Sequence, residues 1–183
     1  YVIDHEDSFT YNLVHLLEGF APTYVSNYYD INWHQLEKSK IIIFSPGPGN
    51  PSHYPETQTV YKKYKGNKKI IGICLGFQQI LYAENANIVP QKKIYHGYQS
   101  KIKTLKESAL FKPNKVFLAG RYHSLKLKEP FNSSSLKITM RCVESNVAMA
   151  IEDTINNVYG FQFHPDSFLT VDGKFLIQKV LQF

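Results

Sequence analysis

Ile70-Ile71-Gly72-Ile73-Cys74-Leu75-Gly76-Phe77-Gln78-Gln79 is the stretch that decides the fold of this chain. The run before Cys74 is continuously apolar, as a strand covered on both faces requires. A helix follows, and the glycines at 72 and 76 let the backbone make the sharp bend between the two. A cysteine on such a strand-to-helix turn is pushed outward, as nucleophiles on tight elbows are. The N-terminal N–H groups of the helix then face the sulfur and favour thiolate over thiol.

Outward from this segment, short apolar runs alternate with amphipathic stretches. Residues 1–4, 22–26, 40–44 and 69–73 are predicted strands. Residues 8–19, 31–37, 54–65 and 76–84 are predicted helices, the first with Leu13, Leu16 and Leu17 on one face and Gly19 as its stop. This alternation argues an α/β domain with an open, mostly parallel sheet and helices on both faces. In the second half, residues 101–105, 115–119, 136–143, 147–151 and 158–163 are predicted strands with short turns between them. They suggest antiparallel strands, or an extension of the central sheet. Residues 171–181 form a closing amphipathic helix. No repeat or linker breaks the chain, so 1–183 is expected to be one domain.

Bulk properties narrow the function. At 183 residues and 43% hydrophobic, the chain is sized for one packed core. No run approaches the ~20 apolar residues of a membrane span, so no membrane association is expected. Two cysteines are too few for a disulfide framework, which points to the cytoplasm. The first residues read as the inside of a strand and lack an initiator Met, so a few preceding residues are expected. The net charge of +6 comes almost wholly from scattered lysines, Arg121 and Arg141 being the only arginines. Nucleic-acid recognition leans on arginine forks, so no nucleic-acid partner is expected.

A cysteine nucleophile needs a base. His164, in Phe161-Gln162-Phe163-His164-Pro165-Asp166, follows a predicted strand and can project from the same sheet edge as Cys74, where open α/β sheets place their sites. Asp166 is near enough in sequence to reach back, accept a hydrogen bond from the imidazole and stabilise its cation. Acyl transfer also needs oxyanion donors. Ser45-Pro46-Gly47-Pro48-Gly49-Asn50-Pro51 follows a buried strand, and proline cannot donate, so the Gly47 N–H and the Leu75 N–H are the candidate pair. Cys142, inside a predicted strand, is expected only to pack. No zinc-like spacing or phosphate loop is present, so no metal or organic cofactor is expected.

Five segments, in order, closely resemble one family. Asp7-Ser8-Phe9-Thr10-Tyr11-Asn12-Leu13, Ser45-Pro46-Gly47-Pro48-Gly49, Gly72-Ile73-Cys74-Leu75-Gly76, Gly120-Arg121-Tyr122-His123-Ser124-Leu125 and Gln162-Phe163-His164-Pro165 look like the class I, triad-type glutamine amidotransferases. Within that class they resemble the glutaminase subunits of anthranilate synthase and aminodeoxychorismate synthase. The resemblance implies a flavodoxin-like architecture with extra antiparallel strands. It implies Cys74 as nucleophile, His164 and Asp166 completing a triad, and glutamine held by Gln78 and the backbone of Gly47, Pro48, Gly49, Ser124 and Leu125. Residues 7–11 and Tyr122-His123 would shape the site mouth or face a larger, chorismate-binding synthase subunit. Two positions depart from the family: Asp166 stands where glutamate is usual, and Phe77 where histidine is common after Leu-Gly. The rival readings are a cysteine hydrolase of the same fold and a degenerate regulatory subunit.

Overall fold

The computed structural model describes residues 1–183. In chain order the elements are β1 (Val2–Asp4), α1 (Thr10–Glu18), β2 (Val25–Asn27), α2 (Trp33–Lys38), β3 (Ile41–Phe44), α3 (Pro55–Tyr64), β4 (Lys69–Ile73) and α4 (Leu75–Ala83). There follow β5 (Ile88–Pro90), β6 (Tyr98–Thr104), β7 (Val116–Arg121), β8 (Leu125–Leu127), β9 (Lys137–Cys142), β10 (Ala148–Asp153), β11 (Val158–Phe161) and α5 (Gly173–Gln182).

Nine strands form one sheet in the order β2-β1-β3-β4-β11-β10-β9-β6-β7. The first five are mutually parallel, in the 2-1-3-4-5 order of flavodoxin-like sheets. The last four pair antiparallel and extend the same sheet. Both features suggested by the sequence for the second half are present, antiparallel pairing and extension of the central sheet. Isoleucines and Phe44 fill β3 and β4, whose branched side chains suit a pleated interior. Ile71 and Ile73 join Leu13, Val14 and Leu17 of α1 and Leu176, Ile177 and Val180 of α5 on one face. Ile70 joins Leu36 of α2, Val60, Tyr61 and Tyr64 of α3, and Phe77, Ile80 and Leu81 of α4 on the other. Helices therefore cover both faces. Phe77 is fully buried here, in the packing role its apolar ring suggests. At the opposite edge, the Lys69 ammonium donates to the Val180 and Leu181 carbonyls, capping α5 and tying it to the start of β4.

One boundary needs correction, and one small sheet is not legible in the sequence. The first helix starts at Thr10 rather than residue 8, because Asp7 turns the chain: its carboxylate accepts from the Phe9 N–H and its carbonyl from the Thr10 N–H. Gly19 stops that helix as expected, with φ −65° at the cap. Two three-residue strands, β5 and β8, pair antiparallel in a small second sheet; each is too short to carry a sequence period.

α4 lies unusually close to the sheet. A Cβ on Gly76 would sit 2.1 Å from the Phe44 carbonyl oxygen, and one on Gly72 would sit 2.4 Å from the Gly76 carbonyl. Gly76→Ala is therefore expected to force the helix off the sheet, costing about 1–3 kcal/mol and lowering Tm by roughly 3–10 °C. Gly19→Ala, at an α-helical φ with 3.4 Å of clearance, serves as the control and should melt near the wild-type temperature. Matching melting curves for wild type and Gly76→Ala would disprove this packing constraint.

Candidate active site

Cys74 occupies the single residue between β4 and α4 and adopts φ 53°, ψ −101°. A non-glycine residue in this region is strained, and such strain persists only where the surroundings impose it. Here the constraint is the Gly72–Gly76 approach on one side and the Cys74 N–H bond to the Phe161 carbonyl, 2.8 Å, on the other. The sulfur thus stands at the carboxyl edge of the sheet, at the head of α4.

The parallel pairing of β4 with β11 supplies its neighbours. Ile73 lies opposite Phe161, so the residues just beyond each strand meet. Gln162 Nε2 approaches Cys74 Sγ at 3.8 Å and Gln162 Oε1 accepts from Gln78 Nε2 at 3.0 Å. Gln162 is a site residue that the sequence does not single out; its place two positions before His164, just past a strand, is the available signal. Gln78 is buried, with an amide N–H engaged by Gln162.

His164 is 1% exposed. Its backbone N–H donates to the Gly120 carbonyl at 3.0 Å, which brings the segment after β7 to the site. The rings of Phe9 and Tyr122 lie 5.1 and 5.0 Å from the imidazole and cover it, so both predicted mouth segments do meet at His164. Burial alone would lower the His164 pKa, because a cation loses its hydration. The adjoining Cys74 sulfur and the Asp166 carboxylate outweigh that penalty and raise it to about 10. That value lies well above neutral pH, so the ring is cationic there, beside the Cys74 sulfur.

Asp166 faces His164 Nδ1, but at 3.7 Å. The expected hydrogen bond is not formed, and neither carboxylate oxygen has another partner. Aspartate ends one methylene short of glutamate, so it acts on the imidazole through charge across a gap. With Nδ1 turned to Asp166, Nε2 is the nitrogen left for Cys74.

Gly47 adjoins the elbow: a Cβ there would fall 2.4 Å from Leu75 Cδ2 and 2.5 Å from His5 Cβ. The Gly47 N–H has no protein acceptor, and the Leu75 N–H, first in α4, precedes the first intrahelical bond. The loop bearing Gly47 is braced by His5, to which nothing in its own stretch of sequence assigns that role. His5 N–H donates to Ser45 Oγ at 2.9 Å, its Nε2 bonds Thr57 Oγ1 at 2.8 Å, and Tyr54 O–H donates to the Pro48 carbonyl at 2.8 Å. Burial lowers the His5 pKa to about 4, so this brace is neutral. Pro48 and Gly49 lie exposed on the same loop, and Gly49 takes φ 76°.

Ser124 is exposed and Leu125 half-buried, at the start of β8. His123 is buried beside them, and burial together with the Arg121 charge lowers its pKa to about 3. His96 is exposed, and Cys142 packs in β9 against the core, with its thiol also facing Glu144 and Arg121.

With this geometry in place, the chain belongs to the class I glutamine amidotransferases, whose family model matches residues 1–182. Among its relatives, anthranilate synthase component 2 of Lactococcus lactis is 36% identical over 97% of this chain and 90% of that protein. The protein of the same name from Pyropia yezoensis is 40% identical over 100% and 98%. A solved structure of a GMP synthase component from Thermoplasma acidophilum shares the fold with a TM-score of 0.85 at 18% identity, covering 100% of this chain and 91% of that one. No helix is long and apolar enough to cross a membrane.

The charge balance at His164 is testable. Its folded value of about 10 lies above the free value of 6.5. Its protonation thus stabilises the fold fully below pH 6.5 and the effect is lost as pH rises toward 10. Cys74→Ala removes the largest raising charge and leaves burial and Asp166 in opposition. The imidazole, followed by nitrogen NMR, should then titrate well below its wild-type value. An unchanged titration would mean that the sulfur is not its partner.

Proposed function

We propose that this chain is the glutaminase subunit of a chorismate-using synthase, releasing ammonia from glutamine through a thioester on Cys74 and passing it to a larger partner. The carrying observation is the Cys74 elbow at φ 53° beside a histidine held cationic by the sulfur and Asp166. The names of the relatives, second components of anthranilate synthase, support the pathway and the partner.

Cys74 thiolate attacks the side-chain amide carbon of glutamine, and the carbonyl electrons move to oxygen. The N–H groups of Gly47 and Leu75 stabilise that oxyanion. His164 Nε2 gives its proton to the departing nitrogen, the C–N bond breaks, and ammonia leaves. The neutral imidazole then takes a proton from water, whose oxygen attacks the thioester; glutamate leaves and the Cys74–His164 ion pair returns. Asp166 stabilises the imidazolium. Gln78, Pro48, Gly49 and the Ser124–Leu125 backbone surround the bound glutamine. Aminodeoxychorismate synthesis is the alternative outcome for the same chain with a different large subunit.

Cys74→Ser should lower glutamine-dependent synthesis by the complex at least ~100-fold, since a hydroxyl is far less ionised than a thiol. Synthesis from added ammonium salt should continue. Identifying the aromatic product made with the native partner decides between anthranilate and aminodeoxychorismate. Retention of glutaminase activity by Cys74→Ser would refute the nucleophile, and a cysteine hydrolase of the same fold would instead turn over γ-glutamyl or peptide substrates in preference to glutamine.

For Asp166, the 3.7 Å gap implies that length matters as well as charge. Asp166→Asn should lower kcat roughly tenfold or more, the worth of one pKa unit of imidazolium stabilisation, with little change in KM. Asp166→Glu should keep or raise kcat by closing the gap. Equal kcat for all three proteins would remove Asp166 from the mechanism.

A further inference from the structure

Arg121 is fully buried, yet it meets no carboxylate. Its guanidinium carbon lies 3.4 Å from the Tyr95 ring centroid, its Nη1 reaches Cys142 Sγ at 3.4 Å and Ser100 Oγ at 3.5 Å, and its Nη2 has no partner. Its best directed bond runs from Nε–H to His123 Nε2, at 3.0 Å. Arginine stays protonated at any working pH. The Nε2 of His123 must therefore accept, which places the ring proton on Nδ1. From there it donates to the Leu125 carbonyl at 2.8 Å. The Gln91 amide nitrogen lies 3.1 Å from the same Nδ1, but its own N–H has the His123 carbonyl at 2.6 Å to donate to.

The position of Leu125 in its strand explains why this bond is needed. In the β5–β8 ribbon Leu125 lies opposite Pro90. The Gln91 N–H donates to the Ser124 carbonyl at 2.9 Å, and the Lys128 N–H to the Asn87 carbonyl at 2.8 Å. By antiparallel alternation, Leu125 is then in a non-hydrogen-bonded pair, with its N–H and C=O both turned away from β5. They stand on the free edge of a two-stranded ribbon packed on α4, the helix that begins beside Cys74. His123 takes the carbonyl; the N–H has no protein acceptor. β5 therefore makes no backbone hydrogen bond to Leu125 itself.

We propose that Arg121 and His123 are positioning residues for substrate recognition: buried Arg121 fixes the His123 tautomer, and His123 anchors the Leu125 carbonyl so that the neighbouring N–H is presented to a carboxylate of bound glutamine. This deepens the glutaminase reading and rests on it. Backbone N–H groups held in this way are strong, charge-assisted donors to carboxylate. Neither side chain takes part in bond making.

The test compares two reagents for Cys74 on the full chain, followed by mass spectrometry. Iodoacetamide reports thiolate reactivity alone, whereas the glutamine mimic 6-diazo-5-oxo-L-norleucine must also be recognised. In His123→Leu the half-saturating concentration of the mimic should rise about tenfold, the usual effect of losing a hydrogen bond of this kind. Its iodoacetamide rate should stay within about twofold of wild type, a change too small to count as a lost interaction. His123→Asn keeps an N–H at the δ position and should recover most of the affinity. Arg121→Lys removes the Nε–H fork, shifts the mimic in the same direction, and carries the test should His123→Leu fail to fold. Unchanged saturation by the mimic in His123→Leu or Arg121→Lys overturns the proposal. So does a parallel fall with both reagents, which would place these residues in the thiolate's support instead. Wild-type Cys74 that reacts with iodoacetamide but ignores the mimic overturns the glutaminase reading itself, and this inference with it.

Discussion

The parallel pairing of β4 with β11, Ile73 opposite Phe161, is the constraint on which the site depends. It joins two strands separated by most of the second half of the chain and sets their ends level. Cys74 then meets Gln162, and His164 stands two residues further on the same edge. A one-residue slip would turn every side chain of β11 to the opposite face and separate the pair. Slip is resisted because β11 is buried on both sides: Tyr159 and Phe161 enter the α1–α5 core and Val158 the opposite one.

Around that pairing the protein stores strain in one place and stiffness in others. The left-handed Cys74 backbone is held by glycines that let α4 lie almost on the sheet. The loop bearing Gly47 is held by a neutral histidine, His5, and the β8 edge by another, His123. These two have lowered pKa values while that of His164 is raised. Burial is common to all three; what differs is the partner. His164 faces the Cys74 sulfur and a carboxylate, His5 faces hydroxyls and a carbonyl, and His123 faces a guanidinium. One residue type is thus held as a cation in one setting and as a neutral hydrogen-bonding strut in two others.

The substitution of aspartate at 166 reads differently in space than in sequence. In sequence it is a shorter arm that can still reach. In the fold the loop after β11 is fixed by His164 N–H to Gly120 and by the Gly120 N–H bond to Thr170 Oγ1, 2.9 Å. The backbone therefore does not close in to compensate, and the carboxylate stays 3.7 Å away. Coulomb attraction survives such a gap where a hydrogen bond does not.

The sequence by itself determined the parallel half of the fold, the Cys74 elbow and the identity of the histidine opposite it. Those features are local: a buried strand, a bend and a helix head are written in consecutive residues such as 70–79, and His164 follows closely on the apolar run of β11, which ends at Phe161. Tertiary structure alone decided how the second half joins the sheet, because antiparallel strands of similar composition can pair in several orders. It also decided the length of the His164–Asp166 gap, the use of Gln162 and His5, and the chain from Arg121 through His123 to Leu125. Each of these depends on distances between segments far apart in sequence, and β5 and β8 are too short to show a period. A buried arginine in a strand gives no sign, read alone, of which backbone group it holds.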